Sequence, residues 1–123
     1  MSDKPLAERL QVKRDRRLAT LDAPASLDAA TAAPAAPVED AEVVLLFVAD
    51  RAALDARLPP LLARIQHDAI LWVAYPKLSS KLAGDLSRDV IHAAAPGLGL
   101  TTVAQIAIDA DWSALRFKRN SQG

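Results

Sequence analysis

The stretch that decides the fold is Glu42-Val43-Val44-Leu45-Leu46-Phe47-Val48-Ala49, followed at once by Asp50. The run is apolar without alternation and rich in β-formers. Such a run predicts a strand covered on both faces, as in a parallel sheet. Asp50 has the side chain of a helix N-cap. Beyond it Ala53, Leu54, Leu58, Leu61, Leu62 and Ile65 recur at spacings of three and four, which predicts an amphipathic helix over residues 51–66. Pro59 and Pro60 fall inside it and are expected to kink it or split it in two.

Working outward, residues 69–75 (AILWVAY) form a second buried run, closed by Pro76. Residues 77–84 read as a polar loop. A helix then starts at Asp85 or its neighbours, with Leu86, Val90, Ile91 and Ala94 on one face and Pro96, Gly97 and Gly99 as its stop. Residues 101–108 read as a strand, Asp109-Ala110-Asp111 as a turn, and residues 112–118 as a last strand. Upstream, residues 18–23 are a short first strand ended by Pro24, and residues 6–10 a short helix behind Pro5. Residues 25–40 form an Ala/Pro-rich loop, with a helical turn or two over 27–33 opened by Ser26, and residues 120–123 a loose tail. Strand–helix–strand units cross over right-handedly and so build a parallel sheet. The last two strands are joined by too few residues to be anything but antiparallel. The expected fold is one α/β domain over residues 1–123: a small Rossmann-like three-layer sandwich, mostly parallel, with a C-terminal antiparallel hairpin.

Composition closes several routes. The chain has 15 basic and 15 acidic residues and no cysteine. Zero net charge gives no bulk attraction to nucleic acid or to an anionic membrane, so neither is expected as a partner. The absence of thiols excludes disulfides, thiolate metal sites and a cysteine nucleophile, and fits a cytoplasmic setting. Alanine supplies 26 of the residues, so the 51% hydrophobic fraction overstates the large apolar side chains. The one local charge cluster, Lys13, Arg14, Arg16 and Arg17, has no aromatic interleaved for base stacking.

The element order resembles the C-terminal half of a Rossmann-like class I methyltransferase. That resemblance places residues 112–118 between 69–75 and 101–108, giving the order first strand, 42–49, 69–75, 112–118, 101–108. More specifically, LWVAYPK (71–77), Ser79-Ser80, DLSRDV (85–90), the 96–100 stop and DADWSALRFKR (109–119) resemble the bacterial domain-of-unknown-function family numbered 3052. PLAERLQVK (5–13) and LATLDAP (18–24) resemble that family's opening. The likeness spans nearly the whole chain except residues 25–40. Gln11 and Arg14-Asp15 stand where the family usually has glycine and Pro-Gly. The family implies a short methyltransferase-like fold without an established activity.

A methyltransferase site needs a glycine-rich turn after the first strand and an acid after the second to hold the ribose. Here the turn is Asp22-Ala23-Pro24-Ala25-Ser26, without glycine. The ribose acid has no evident home, with Glu39 or Asp40 as the only substitutes. S-adenosylmethionine is therefore disfavoured as a cofactor. Tyr75-Pro76-Lys77 is not placed as the Asn/Asp-Pro-Pro-Tyr motif of amino-group methyltransferases is, because that position holds Asp50-Arg51-Ala52.

In an open α/β sheet a ligand lies beyond the carboxyl ends of the strands. The weak candidates there are Asp22, Asp50, Lys77, Ser79 and Ser80. Lys77, Ser79, Ser80 and Lys81 ahead of a helix can hold an anion, which Asp85 would oppose. The plainer alternative is a capped polar loop. No catalytic residue is assigned. His67 and His92 have no second ligand at helical spacing, so no metal site is expected. Trp72 reads as core, and Trp112 as packing under the hairpin or as a platform for a partner. The leading expectation is a noncatalytic methyltransferase-like module that binds a protein or small ligand. The alternatives are a minimal S-adenosylmethionine- or nucleotide-binding enzyme, and a homo-oligomeric interaction protein.

Overall fold

The computed structural model describes residues 17–22, 37–66 and 68–119. The expected helix at 6–10, the helical turns at 27–33, His67, most of the basic cluster and the tail at 120–123 lie outside them. The elements are β1 (Leu18–Leu21), β2 (Val43–Phe47), α1 (Arg51–Arg64), β3 (Ile70–Pro76), α2 (Arg88–Ala94), a 3-10 turn (Ala95–Leu98), β4 (Leu100–Ala107) and β5 (Trp112–Arg119). They form one five-stranded mixed sheet of order β1-β2-β3-β5-β4. β1, β2 and β3 are parallel, while β5 runs antiparallel to both β3 and β4.

Continuous burial follows the continuous apolar runs. Every residue of β2 and of β3 is buried. Alternate residues feed two cores. Val44, Leu46, Leu71, Val73, Leu115 and Phe117 pack with Leu54, Leu58 and Leu61 of α1 and Ile91 of α2. Leu18, Val43, Leu45, Phe47, Ile70, Trp72, Ala74 and Trp112 form the core on the opposite face. Both helices therefore cover the same face. The reason is topological: each crossover advances the same way across the sheet, and right-handed crossovers in one direction fall on one side. Trp72 is core, as its strand implied, at 1% exposure. Trp112 is packed too, its ring edge-on to Phe47 at 5.2 Å and 76°.

Two expectations need correcting. Pro59 and Pro60 do not split the helix, which runs unbroken from Arg51 to Arg64. Each proline removes an intrahelical N–H. However, both face solvent, while Leu54, Leu58 and Leu61 anchor the helix to the sheet on either side of them. The second helix does not start at Asp85. It starts at Arg88, capped by Ser87, whose side chain accepts the Val90 N–H at 3.2 Å. Gly99, at φ 74°, turns the chain from the 3-10 segment into β4 in the left-handed conformation that glycine allows.

β4 is the edge of the sheet and is largely exposed, despite an apolar sequence. Its register slips between Thr102 and Ala104, leaving Val103 48% exposed. No described helix is long and apolar enough to cross a membrane.

Candidate functional site

The carboxyl ends of β1, β2 and β3 bring together Asp22, Asp50 and the loop 77–84, as the open-sheet rule requires. β5 runs the other way, so its start and the preceding turn, Asp109 to Asp111, join the same edge.

Asp50 is the N-cap of α1, its Oδ1 accepting the Ala53 N–H at 2.8 Å. Asp85, displaced from the helix it was expected to open, serves α1 instead: its Oδ1 accepts the Arg51 N–H at 2.8 Å. The first turn of α1 is thus met by two of the chain's own carboxylates. A helix N-terminus attracts anions because its first N–H groups lack partners. Here two of them have partners, and both partners are negative.

Of the remaining candidates, Asp22 and Ser80 are engaged through their side chains and Lys77 through its backbone. Asp22, in a left-handed turn at φ 62°, pairs with Arg57 of α1 at 3.2 Å. Ser80 donates its hydroxyl to Asp111 Oδ1 at 2.8 Å and accepts the Leu82 N–H at 3.0 Å. The Lys77 backbone N–H donates to the Asp111 carbonyl at 2.8 Å. Asp109 Oδ1 closes its own turn by accepting the N–H groups of Asp111 and Trp112, each at 2.8 Å. The loop 77–84 is therefore tied to the turn before β5. It does not lead into a helix N-terminus, since α2 starts only at Arg88. Ser79 is exposed beside Leu78 and Leu82, which are 69% and 52% exposed.

A described cleft between β1, β2 and α1 opens beside Asp22, measures about 150 Å³ and includes Leu21, Asp22, Leu46, Arg57, Leu61 and Arg64 in its lining. Small-ligand pockets usually occupy ~300–1,000 Å³. Among the described residues, no group of three or more metal-ligating side chains comes together. His92, on α2, spends its Nδ1 on Thr102 Oγ1 at 2.6 Å. Away from this edge, Arg17 binds Glu42 through both backbone and side chain, which holds the Glu42 carboxyl below its usual range. The Arg64 side chain likewise lowers Glu39.

Asp50, Asp22 and Ser80 were visible in the sequence; Asp85 beside Asp50, Arg57 beside Asp22 and Asp111 beside Ser80 were not. Asp85 carried a signal, an aspartate just ahead of an apolar helix pattern, but it pointed to the wrong helix. Arg57 lies on the polar face of α1, where nothing in the spacing marks it.

No family model matches the chain. No curated protein matches its sequence. Solved structures do match. LepI in complex with SAM superposes with a TM-score of 0.51 at 16% identity, over 94% of this chain and 39% of that one. A LepI cysteine-to-alanine variant in complex with SAH and a substrate analogue gives 0.54 at 16%, over the same shares. A chain described as a pericyclic reaction enzyme gives 0.51 at 15%. At these identities the likeness establishes the fold alone. The chain spans 39% of the length of each of these proteins.

Proposed function

We propose that this chain is a noncatalytic, methyltransferase-like binding module that does not take S-adenosylmethionine in the usual mode. The observation that carries the reading is that the chain's own groups engage the acids of this edge: Asp22, at the turn after β1 where the usual mode seats the cofactor, pairs with Arg57, and Asp50 and Asp85 occupy the α1 N-terminus. A ligand at this edge would have to displace them. The described part of the turn after β1 does not fit an adenosyl group: it offers Asp22, an acid already paired to Arg57, and no glycine.

The fold supports the resemblance to class I methyltransferases, and kinship with the family numbered 3052 is part of the proposal. Burial of apolar side chains on both faces of the sheet supports a three-layer arrangement. The adjacent antiparallel β4 and β5 support a C-terminal hairpin of the methyltransferase kind. The rival reading, a minimal enzyme using S-adenosylmethionine, draws on the SAM and SAH held by the LepI structures. A thermal-shift series with S-adenosylmethionine, S-adenosylhomocysteine and nucleotides separates the two. The binding-module reading predicts no saturable rise in Tm with any of them, and a saturable rise with S-adenosylmethionine overturns it.

A further inference from the structure

A second cleft lies on the helix-covered face, between α2 and the edge strand β4, with a volume of about 320 Å³. That is within the usual span of small-ligand sites, ~300–1,000 Å³. Ala104 and the buried Leu115 give it an apolar part. Gln105 gives it an amide held in place from behind: its Nε2 donates to the Tyr75 hydroxyl at 3.1 Å. Tyr75 is hydrogen-bonded in turn to Ser113, the buried polar residue of the described core. Burial raises the Tyr75 phenol above its ordinary value, so this line of groups stays neutral. The bond to Tyr75 uses one of the two amide donors of Gln105 and leaves its carbonyl as an acceptor.

The charged part comes from α2. Arg88, Asp89 and His92 line the cleft, and Arg88 and His92 stand four apart on one helix face. Arg88 and Asp89 are 3.8 Å apart at Nε and Oδ1, with side chains 65% and 91% exposed, too far for a hydrogen bond. One cation and one anion therefore sit side by side at the rim of the cleft. A simple anion would gain at Arg88 and lose at Asp89. A ligand carrying both charges, on two groups attached to one carbon, satisfies both.

We propose that the cleft between α2 and β4 binds a small zwitterion of the free amino-acid type. Its carboxylate lies on Arg88 and its ammonium on Asp89, its carbon chain over Ala104 and Leu115, and Gln105 meets a polar group. The proposal rests on the binding-module reading and gives its ligand a chemical class.

The test is an NMR titration of the 15N-labelled chain with each common L-amino acid, and with its N-acetyl and methyl-ester forms, which each lack one charge. The expected result is saturable shifts at the amides of residues 88, 89, 92, 104 and 105 with at least one amino acid. Acetylation, esterification, Arg88→Gln and Asp89→Asn should each weaken binding by about tenfold or more, as loss of a charge-assisted contact implies. No saturable shift up to ~10 mM with any amino acid overturns the proposal. So does binding that survives removal of either charge. Neither failure touches the binding-module reading, which is decided by S-adenosylmethionine at Arg51 and Asp85.

Discussion

Asp85 and Arg51 lie 34 positions apart, yet the Asp85 carboxylate accepts the Arg51 backbone N–H at 2.8 Å. This bond ties the segment leading into α2 to the first turn of α1. It also puts a negative charge where a helix would otherwise attract an anion. Asp50 completes the arrangement from the other side of the peptide chain, one residue before Arg51.

Removing either carboxylate should cost stability without unfolding the chain. Asp50→Ala is expected to lower the unfolding free energy by ~0.5–2 kcal/mol, the usual cost of a lost N-cap. Asp85→Ala should cost ~0.5–1 kcal/mol, because the freed N–H can turn to water. Urea midpoints for the two variants and their double mutant check this. An unchanged midpoint for Asp85→Ala would deny the bond between the two helices' leading segments.

The proline pair gives the opposite sign. α1 continues through Pro59 and Pro60 because its leucines hold it to the sheet, not because the prolines suit it. Proline in a helix interior costs ~3 kcal/mol relative to alanine, less the ~0.4–1 kcal/mol by which it restrains the unfolded chain. Replacing both with alanine should raise the urea midpoint, by ~2 kcal/mol or more in unfolding free energy. A fall would show that the prolines make contacts that the helix needs.

Acid should loosen the junction of β1 and β2. Glu42 is held below its ordinary value of 4.5, first by the hydrogen bond from the Arg17 side chain. Glu39 is lowered likewise, first by Arg64. A depressed carboxylate contributes its stability in full above the unfolded value and loses it as pH falls through the folded one. The urea midpoint should therefore drop as pH falls below 4.5, the ordinary value of both groups. Glu42→Gln should flatten that drop, and added salt should shrink it, since both pairs are solvent-accessible. An acid limb identical in Glu42→Gln would assign the effect elsewhere.

The face away from the helices depends on aromatic packing. Phe47 and Trp112 meet edge to face at 5.2 Å, joining the end of β2 to the start of β5. Phe47→Leu keeps most of the volume but loses the ring contact, and should cost ~1 kcal/mol. A shift in tryptophan emission should accompany it. Wild-type stability together with wild-type emission would show that the pair contributes nothing.

Much of the architecture was legible in the chain. Residues 42–49 and 69–75 announced buried parallel strands because burial on both faces removes alternation. The crossovers and the methyltransferase analogy together led to the sheet order. What was not legible was non-local. Asp85 and Ser87 are both cap-forming residues two positions apart, and local pattern cannot reveal that one of them caps a different helix. Residues 101–108 read as strongly as the buried strands; the methyltransferase analogy had put them last in the sheet, and there β4 lies largely exposed. Pro59 and Pro60 carry a strong local signal, yet the helix stays in one piece across them. At the candidate site, Asp22 and Asp50 were visible as acids at strand ends. Their pairing with Arg57 and with backbone donors was not, since it depends on where α1 lands.

The chain's own carboxylates occupy the described carboxyl edge of the sheet. The most direct measurement is an NMR titration of the 15N-labelled chain with S-adenosylmethionine, read at the amides of Asp22, Arg51, Ala53 and Asp85. The account predicts that these amides stay unmoved. Saturable shifts at Arg51 and Ala53 would contradict it and reopen the edge as a cofactor site.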